Sequence, residues 1–143
     1  MRINYQFKSA DFSKTMKKMQ ADYQKETEEA ILVATRQTSY GAKQNAPVDR
    51  DGLKASIRPY NKGMTGEVVV GASYGPYQEY GTGTRVKVPS ELSAYAMQFK
   101  GAGVRQVNLR AQPYLYPAFF INRDRFMKDM DRRIERIANR NWR

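Results

Sequence analysis

Acidic side chains are the first candidates for chemistry in this chain, because it contains neither histidine nor cysteine. That composition excludes thiolate nucleophiles, Ser-His-Asp catalysis and imidazole or thiolate metal ligands. Glu67 and Glu79 are the carboxylates nearest to predicted structured elements, but no spacing places two acids in an evident cleft. We therefore expect no enzyme, no catalytic or metal-binding residue and no cofactor. A nuclease that uses only carboxylates and a metal ion is the enzymatic alternative.

Two short motifs resemble ligand-binding loops but lack their essential residues. Asp49 and Asp51 resemble the first ligands of a calcium-binding loop. That loop needs glycine at its sixth position and a carboxylate at its twelfth, where this chain has Lys54 and Tyr60. The glycine-rich residues 71–83 are not followed by the Gly-Lys-Ser/Thr of a phosphate-binding loop. The first motif is better interpreted as a polar turn, and the second as a loop with unusual backbone angles.

Basic residues outnumber acidic ones by 25 to 14, which gives a formal net charge of +11. Such a charge favours acidic partners, and nucleic acid is the usual one. Five basic residues, near the aromatic Tyr95, Phe99 and Tyr114, form a candidate contact surface: Arg85, Lys87, Lys100, Arg105 and Arg110. A stand-alone nucleic-acid-binding protein is therefore the alternative function.

The hydrophobic pattern predicts one α+β domain over residues 1–143, with two amphipathic helices on a small antiparallel sheet. Its elements are expected to be a strand at 1–8, a long helix at 11–45, a β-hairpin at 53–73, a glycine-rich and basic loop region at 74–112, a helix at 113–138 and a tail at 139–143. No stretch approaches the roughly 20 apolar residues that cross a bilayer.

The first predicted helix is longer than a compact domain of this size is wide. Apolar residues recur at spacings of three and four from Phe12 through Met16, Met19 and Tyr23. A helix over residues 11–45 is about 50 Å long, whereas a compact domain of this length has a radius of gyration near 14 Å, by estimate. We expect it to bend or to project from the domain, where a partner covers it.

Three segments in order resemble the tail-completion proteins, also called neck or minor tail proteins, of long-tailed bacteriophages. They are Ala-Pro-Val-Asp with Gly-Leu-Lys-Ala-Ser-Ile at 46–57, Tyr-Gly-Pro-Tyr-Gln-Glu-Tyr-Gly-Thr-Gly at 74–83, and Gln-Pro-Tyr-Leu-Tyr-Pro-Ala-Phe at 112–119. The chain departs from the family pattern at Asp51, which is interposed, and at Tyr116, which replaces an arginine.

The resemblance implies a structural, non-enzymatic virion protein that acts in tail completion and head-to-tail joining, as one subunit of a ring. It implies synthesis in the cytoplasm of a bacterial host and a place in the neck or tail of the virion. Expected partners are a head connector or completion protein, a tail tube or terminator, and further copies of the chain, with passing DNA as a nonspecific contact and no membrane. The loop-shaping or assembly residues would be Tyr77, Glu79, Tyr80, Gly81 and Gly83.

Overall fold

The computed structural model describes residues 9–47, 52–82, 90–92, 94 and 109–141. Its elements are α1 (Ser9–Asn45), α2 (Gly52–Ser56), β1 (Ile57–Lys62), β2 (Thr65–Val70), α3 (Gly75–Tyr80), a single 3₁₀ turn (Ser90–Leu92) and α4 (Leu115–Asn141). The strand expected at 1–8 and most of the basic loop region lie outside the described residues.

Helices α1 and α4 pack side by side and antiparallel. The C-terminal end of α1 meets the start of α4, where the Asn45 side chain donates to the carbonyl of Tyr114 at 3.5 Å. Near the other end of the pair, Arg140 of α4 forms a 2.8 Å ion pair with Asp22 of α1. Between them the helices approach closely at Gly41, where an added Cβ would lie 3.2 Å from the Cβ of Ala118.

The β-hairpin packs on a second face of α1. Strands β1 and β2 are antiparallel, with Ile57 opposite Val70 and Lys62 opposite Thr65, and Gly63 takes a positive φ of 54° in the two-residue turn. The Asn61 amide donates to the hydroxyl of Thr35 on α1 at 3.1 Å. Helix α4 and strands β1 and β2 thus all pack against α1, which is the central element of the fold.

The core lies where the C-terminal part of α1 meets α2, the start of β1 and the start of α4. Its largest fully buried side chains are Leu53, Ile57 and Tyr114. Small residues of the helices, Ala42, Ala46 and Ala118, pack around them. Because alanine brings helix backbones close, a chain with few large aliphatic residues can still exclude water here.

One part of the predicted hairpin is wrong. The hairpin expected at 53–73 includes Leu53 and Ala55, but both lie in α2, and the strand begins only at Ile57. Leu53 and Ile57 are buried while Ala55 is exposed, so burial recurs after four residues, as on a helix, and not after two. Three apolar residues at alternate positions fit both periods, and packing against Tyr114 decides between them.

The ends of the last helix also differ from the expected 113–138. Helix α4 begins at Leu115 and continues to Asn141, so residues 139–141 are helical and not part of a tail. The ion pair between Arg140 and Asp22 holds this last turn against α1.

The expected α+β class is confirmed: a long N-terminal helix and a C-terminal helix pack with a two-stranded antiparallel hairpin. Within the described ranges, no helix combines the length and the apolar character needed to cross a membrane.

Replacing Ile57 by alanine tests the position of the core. Ile57 is fully buried, so Ile57→Ala should lower the free energy of unfolding by about 2–5 kcal/mol, through lost burial and the cavity left behind. Urea denaturation followed by circular dichroism measures this. The matched control is Ile121→Ala on α4, where the side chain is 53% exposed and the expected change is within about 0.5 kcal/mol. Equal losses in the two variants would contradict this core.

Candidate functional site

Helix α3 carries a buried carboxylate to the start of α4. It has proline in its first turn, where the missing N–H costs no hydrogen bond, and it begins at the buried Gly75. An added Cβ at Gly75 would lie 2.9 Å from both the Tyr114 hydroxyl and a methyl of Val70. This close approach places Glu79, only 4% exposed, beside the α4 N-terminus.

Glu79 accepts three backbone hydrogen bonds. Its Oε2 accepts from the amides of Tyr114 and Leu115, each at 2.8 Å, and its Oε1 accepts from the amide of Tyr116 at 2.9 Å. The first amides of a helix have no partner within the helix, and a negative charge there also interacts favourably with the helix dipole. The next residue, Pro117, has no amide hydrogen to satisfy. We call Glu79 and these three amides the Glu79 junction.

Residues on either side of Glu79 hold the chain that leads into α4. The amide of Gln112 donates to the carbonyl of Gln78 at 2.9 Å, and their side-chain amides pair at 2.8 Å. The amide of Thr82 donates to the carbonyl of Leu109 at 3.0 Å, and the Thr82 hydroxyl accepts from the amide of Leu109 at 3.0 Å. Two of the three segments that carried the family resemblance are therefore joined through their backbones.

Gly81 makes this pairing possible. Its φ is +71°, a backbone conformation that side chains with a Cβ rarely adopt. An added Cβ would lie 2.6 Å from the Leu109 carbonyl oxygen and 2.8 Å from the Ala111 nitrogen. Only glycine allows the two segments to run this close together.

The Glu79 junction is suited to holding structure and not to acid-base chemistry. Both carboxylate oxygens accept hydrogen bonds from amides, so neither is directed at a substrate proton. Burial, followed by the nearby charge of Glu79, raises the pKa of the Tyr116 phenol above its usual range. Within the described part of the chain, no group of three or more acids is placed to hold a metal ion.

The predicted loop-shaping residues are distributed around this junction. Glu79, Tyr80 and Gly81 are buried, whereas the side chain of Tyr77 is 41% exposed. Gly83 lies outside the described residues. Their role in loop shape or assembly stays a prediction.

Of the predicted basic contact surface, the structure describes only Arg110, which is exposed. Arg85, Lys87, Lys100 and Arg105 lie outside the described residues, so the clustering of these five side chains stays a prediction.

The sequence interpretation missed a charge cluster between the two long helices. Alternating arginines and acids such as those at 129–140 are typical of a solvated helix face, but the Arg133 side chain is only 15% exposed and binds both Asp129 and Glu26 at 2.6 Å. The hydrogen bond with Asp129 is the main cause that raises the Arg133 pKa, with Glu26 adding to it. The i,i+4 spacing to Asp129 was visible in the sequence, but Glu26 is distant along the chain.

A family model matches residues 10–81, which is half of the chain; its description is "Bacteriophage HK97-gp10, putative tail-component". This chain belongs to the HK97-gp10-like family. The match extends from α1 through the hairpin to α3 and includes Glu79 and Gly81. The HK97-gp10-like family consists of phage tail components that are generally not enzymes. Neither a curated protein nor a solved structure matches the chain.

Glu79→Gln tests the junction. Glutamine keeps the size but loses the charge and turns an NH₂ group toward amide donors, so the free energy of unfolding should fall by about 2–3 kcal/mol. Chemical denaturation measures the loss. Glu135→Gln, at an exposed position of α4, is the matched control and should change stability by less than about 0.5 kcal/mol. A Glu79→Gln protein as stable as this control would refute the role of the carboxylate.

Gly81→Ala tests the close pairing of residues 78–82 with 109–112. The positive φ and the contact with the Leu109 carbonyl should cost about 2 kcal/mol. Thermal unfolding at matched pH gives the measurement. At Gly71 an added Cβ meets only ordinary contacts of 3.7 Å or more, so Gly71→Ala should stay within about 0.5 kcal/mol of the native chain. Similar melting shifts for the two variants would contradict the geometry.

Proposed function

We propose that this protein completes the tail of a long-tailed phage and joins it to the head, as one subunit of a ring around the DNA conduit. The observation that carries the proposal is the family match over residues 10–81, which includes α1, the hairpin and the Glu79 segment. In that family a rigid scaffold with assembly surfaces is needed, and a reacting group is not. A carboxylate saturated by backbone amides agrees with that requirement.

The length difference between the two long helices supports an assembly role. Helix α1 has 37 residues and α4 has 27, so α1 is about 55 Å long and α4 about 40 Å. The ion pair from Arg140 to Asp22 places the end of α4 beside Asp22. Residues 9–21 therefore extend about 20 Å past the last described turn of α4. We call residues 9–21 the projecting segment.

A projecting helix suits the contacts that build a ring. Identical subunits form a closed ring when one surface of each copy binds a different surface of the next, with a rotation that closes. The proposed contacts are with further copies of this chain, with a head connector or completion protein and with a tail tube or terminator. The excess of basic residues would assist docking with acidic surfaces or passing DNA. The protein would then reside in the neck or tail of the virion.

Electron microscopy of lysates tests the proposal. In a lysogen whose copy of this gene is interrupted, induction should yield DNA-filled heads and tails that are not joined, since the connecting component is missing. Aberrant tail length or tail ends would assign the protein to the tail side of the joint. Infectious, joined particles from the interrupted lysogen would overturn the proposal.

Complementation supplies matched controls for this experiment. The native gene and the Glu135→Gln variant should both restore joined particles, while Glu79→Gln should restore fewer, because the start of α4 is no longer held.

The alternative, nucleic-acid binding by the isolated chain, predicts an affinity whose logarithm falls steeply and linearly with the logarithm of salt concentration. Weak binding without that slope would favour assembly.

A further inference from the structure

An apolar groove runs between the hairpin and α4, with α1 as its floor. Its volume is about 900 Å³. Ile31 and Ala34 of α1, Val68 and Val69 of β2, and Phe119 and Phe120 of α4 line it. Val69 is 43% exposed and Phe119 is 50% exposed, so large apolar side chains face solvent along both walls. Exposed apolar surface gathered in a concave site is typical of an interaction surface.

The α4 wall of the groove also contains a buried polar group that lacks a partner. Asn122 lines the groove and is 6% exposed. Its amide nitrogen donates to the Ala118 carbonyl at 2.8 Å, but its Oδ1 accepts no hydrogen bond within the described chain. This oxygen has almost no exposed surface, so it is a cost of packing α4 against α1 near Gly41 and not a contact point for an occupant of the groove.

We infer that this groove binds the projecting segment of a second copy of the chain. The inference deepens the ring proposed above and rests on it, because it identifies the two different surfaces that successive subunits would bring together. The projecting segment offers an apolar stripe that contains Met16 and Met19, and Met16 is 41% exposed.

The size of the groove agrees with this occupant. One helical turn with side chains, taken as a cylinder 10–12 Å wide and 5.4 Å long, occupies roughly 420–610 Å³. The groove of about 900 Å³ therefore accommodates about one and a half to two turns. Residues 16–21 of the projecting segment span about 1.7 turns of α1.

The charges of the two surfaces are complementary. The projecting segment carries exposed Lys14, Lys17 and Lys18 against a single acid, Asp11. Exposed Glu67 and Glu91 lie on the rim of the groove, and the exposed Arg123, which also lines it, is already ion-paired with Asp124 at 3.1 Å. Opposite charges at the edge of an apolar contact steer association and fix its register.

The projecting segment cannot fill the groove of its own chain. Met16 and Ile31 belong to the same continuous helix, and their separation along its axis is about 22 Å. A disulfide requires Cα atoms within about 7 Å of each other. A cross-link between position 16 and the groove therefore reports contact between two chains.

Disulfide trapping tests the inference, and the absence of native cysteine makes every cross-link interpretable. Full-length Met16→Cys protein is mixed with full-length Phe119→Cys protein of a different tag length, at the highest soluble concentration and in oxidising buffer. The mixed dimer should form at least about tenfold faster than in a mixture of Met16→Cys with Tyr40→Cys. Tyr40 lies on α1, is 65% exposed and does not line the groove, so it is the matched control.

Sedimentation velocity supplies a second readout that needs no cysteine. Met16→Glu places a charge in the stripe that would face the apolar walls and the acidic rim, so self-association should weaken at least about tenfold. Met127→Glu is the matched control, because Met127 is a 56% exposed methionine outside the groove and its replacement should leave association unchanged.

Equal rates for Phe119→Cys and Tyr40→Cys, or a chain that stays monomeric without any mixed disulfide, would overturn the inference. Such a result would leave the proposed function standing if lysates of the interrupted lysogen still contain unjoined heads and tails. A rapid mixed disulfide together with joined particles in that lysogen would instead support the contact and overturn the role in joining. The two failures are therefore distinguishable.

Discussion

The carboxylate of Glu79, held among three backbone amides, is the interaction on which the described structure depends. A charged group that is 4% exposed is tolerated only when its hydrogen bonds are satisfied, and here the donors are the free amides at the start of α4. The same contact satisfies the helix end and fixes where α4 begins. Because α3 follows directly from the hairpin, this one contact sets the position of α4 relative to β2.

The position of α4 in turn determines both surfaces that an assembly would use. Held at its start by Glu79 and along its length by Gly41 and Arg133, α4 lies antiparallel to α1 and ends beside Asp22. The groove between α4 and the hairpin exists because both pack on different faces of α1. The projecting segment exists because α1 is longer than its partner. A rigid core with two separate surfaces is the arrangement that a closed ring of identical subunits requires.

The sequence predicted the helices and the hairpin turn well because their signals are local and long. Apolar spacing over many turns predicts α1, and Gly63 before a valine-rich run predicts a turn there, although Asn61 and Lys62, expected in the turn, belong to β1. Short signals failed where two periods fit equally well, as at Leu53 and Ala55. The amide partners of Glu79 and the pairing of Arg133 with Glu26 were also beyond reach, since both join residues far apart along the chain.

By itself, the sequence determined the α+β class, the two long helices, the absence of histidine and cysteine chemistry and the resemblance to phage tail proteins. Those properties depend on composition, periodicity and motif order, which need no knowledge of contacts. Only the tertiary structure decided that Glu79 caps α4, that Gly81 is required by a neighbouring carbonyl and that the Oδ1 of Asn122 accepts no hydrogen bond from the described residues. Each of these depends on distances between segments that are remote in sequence, and such distances arise only when the elements pack.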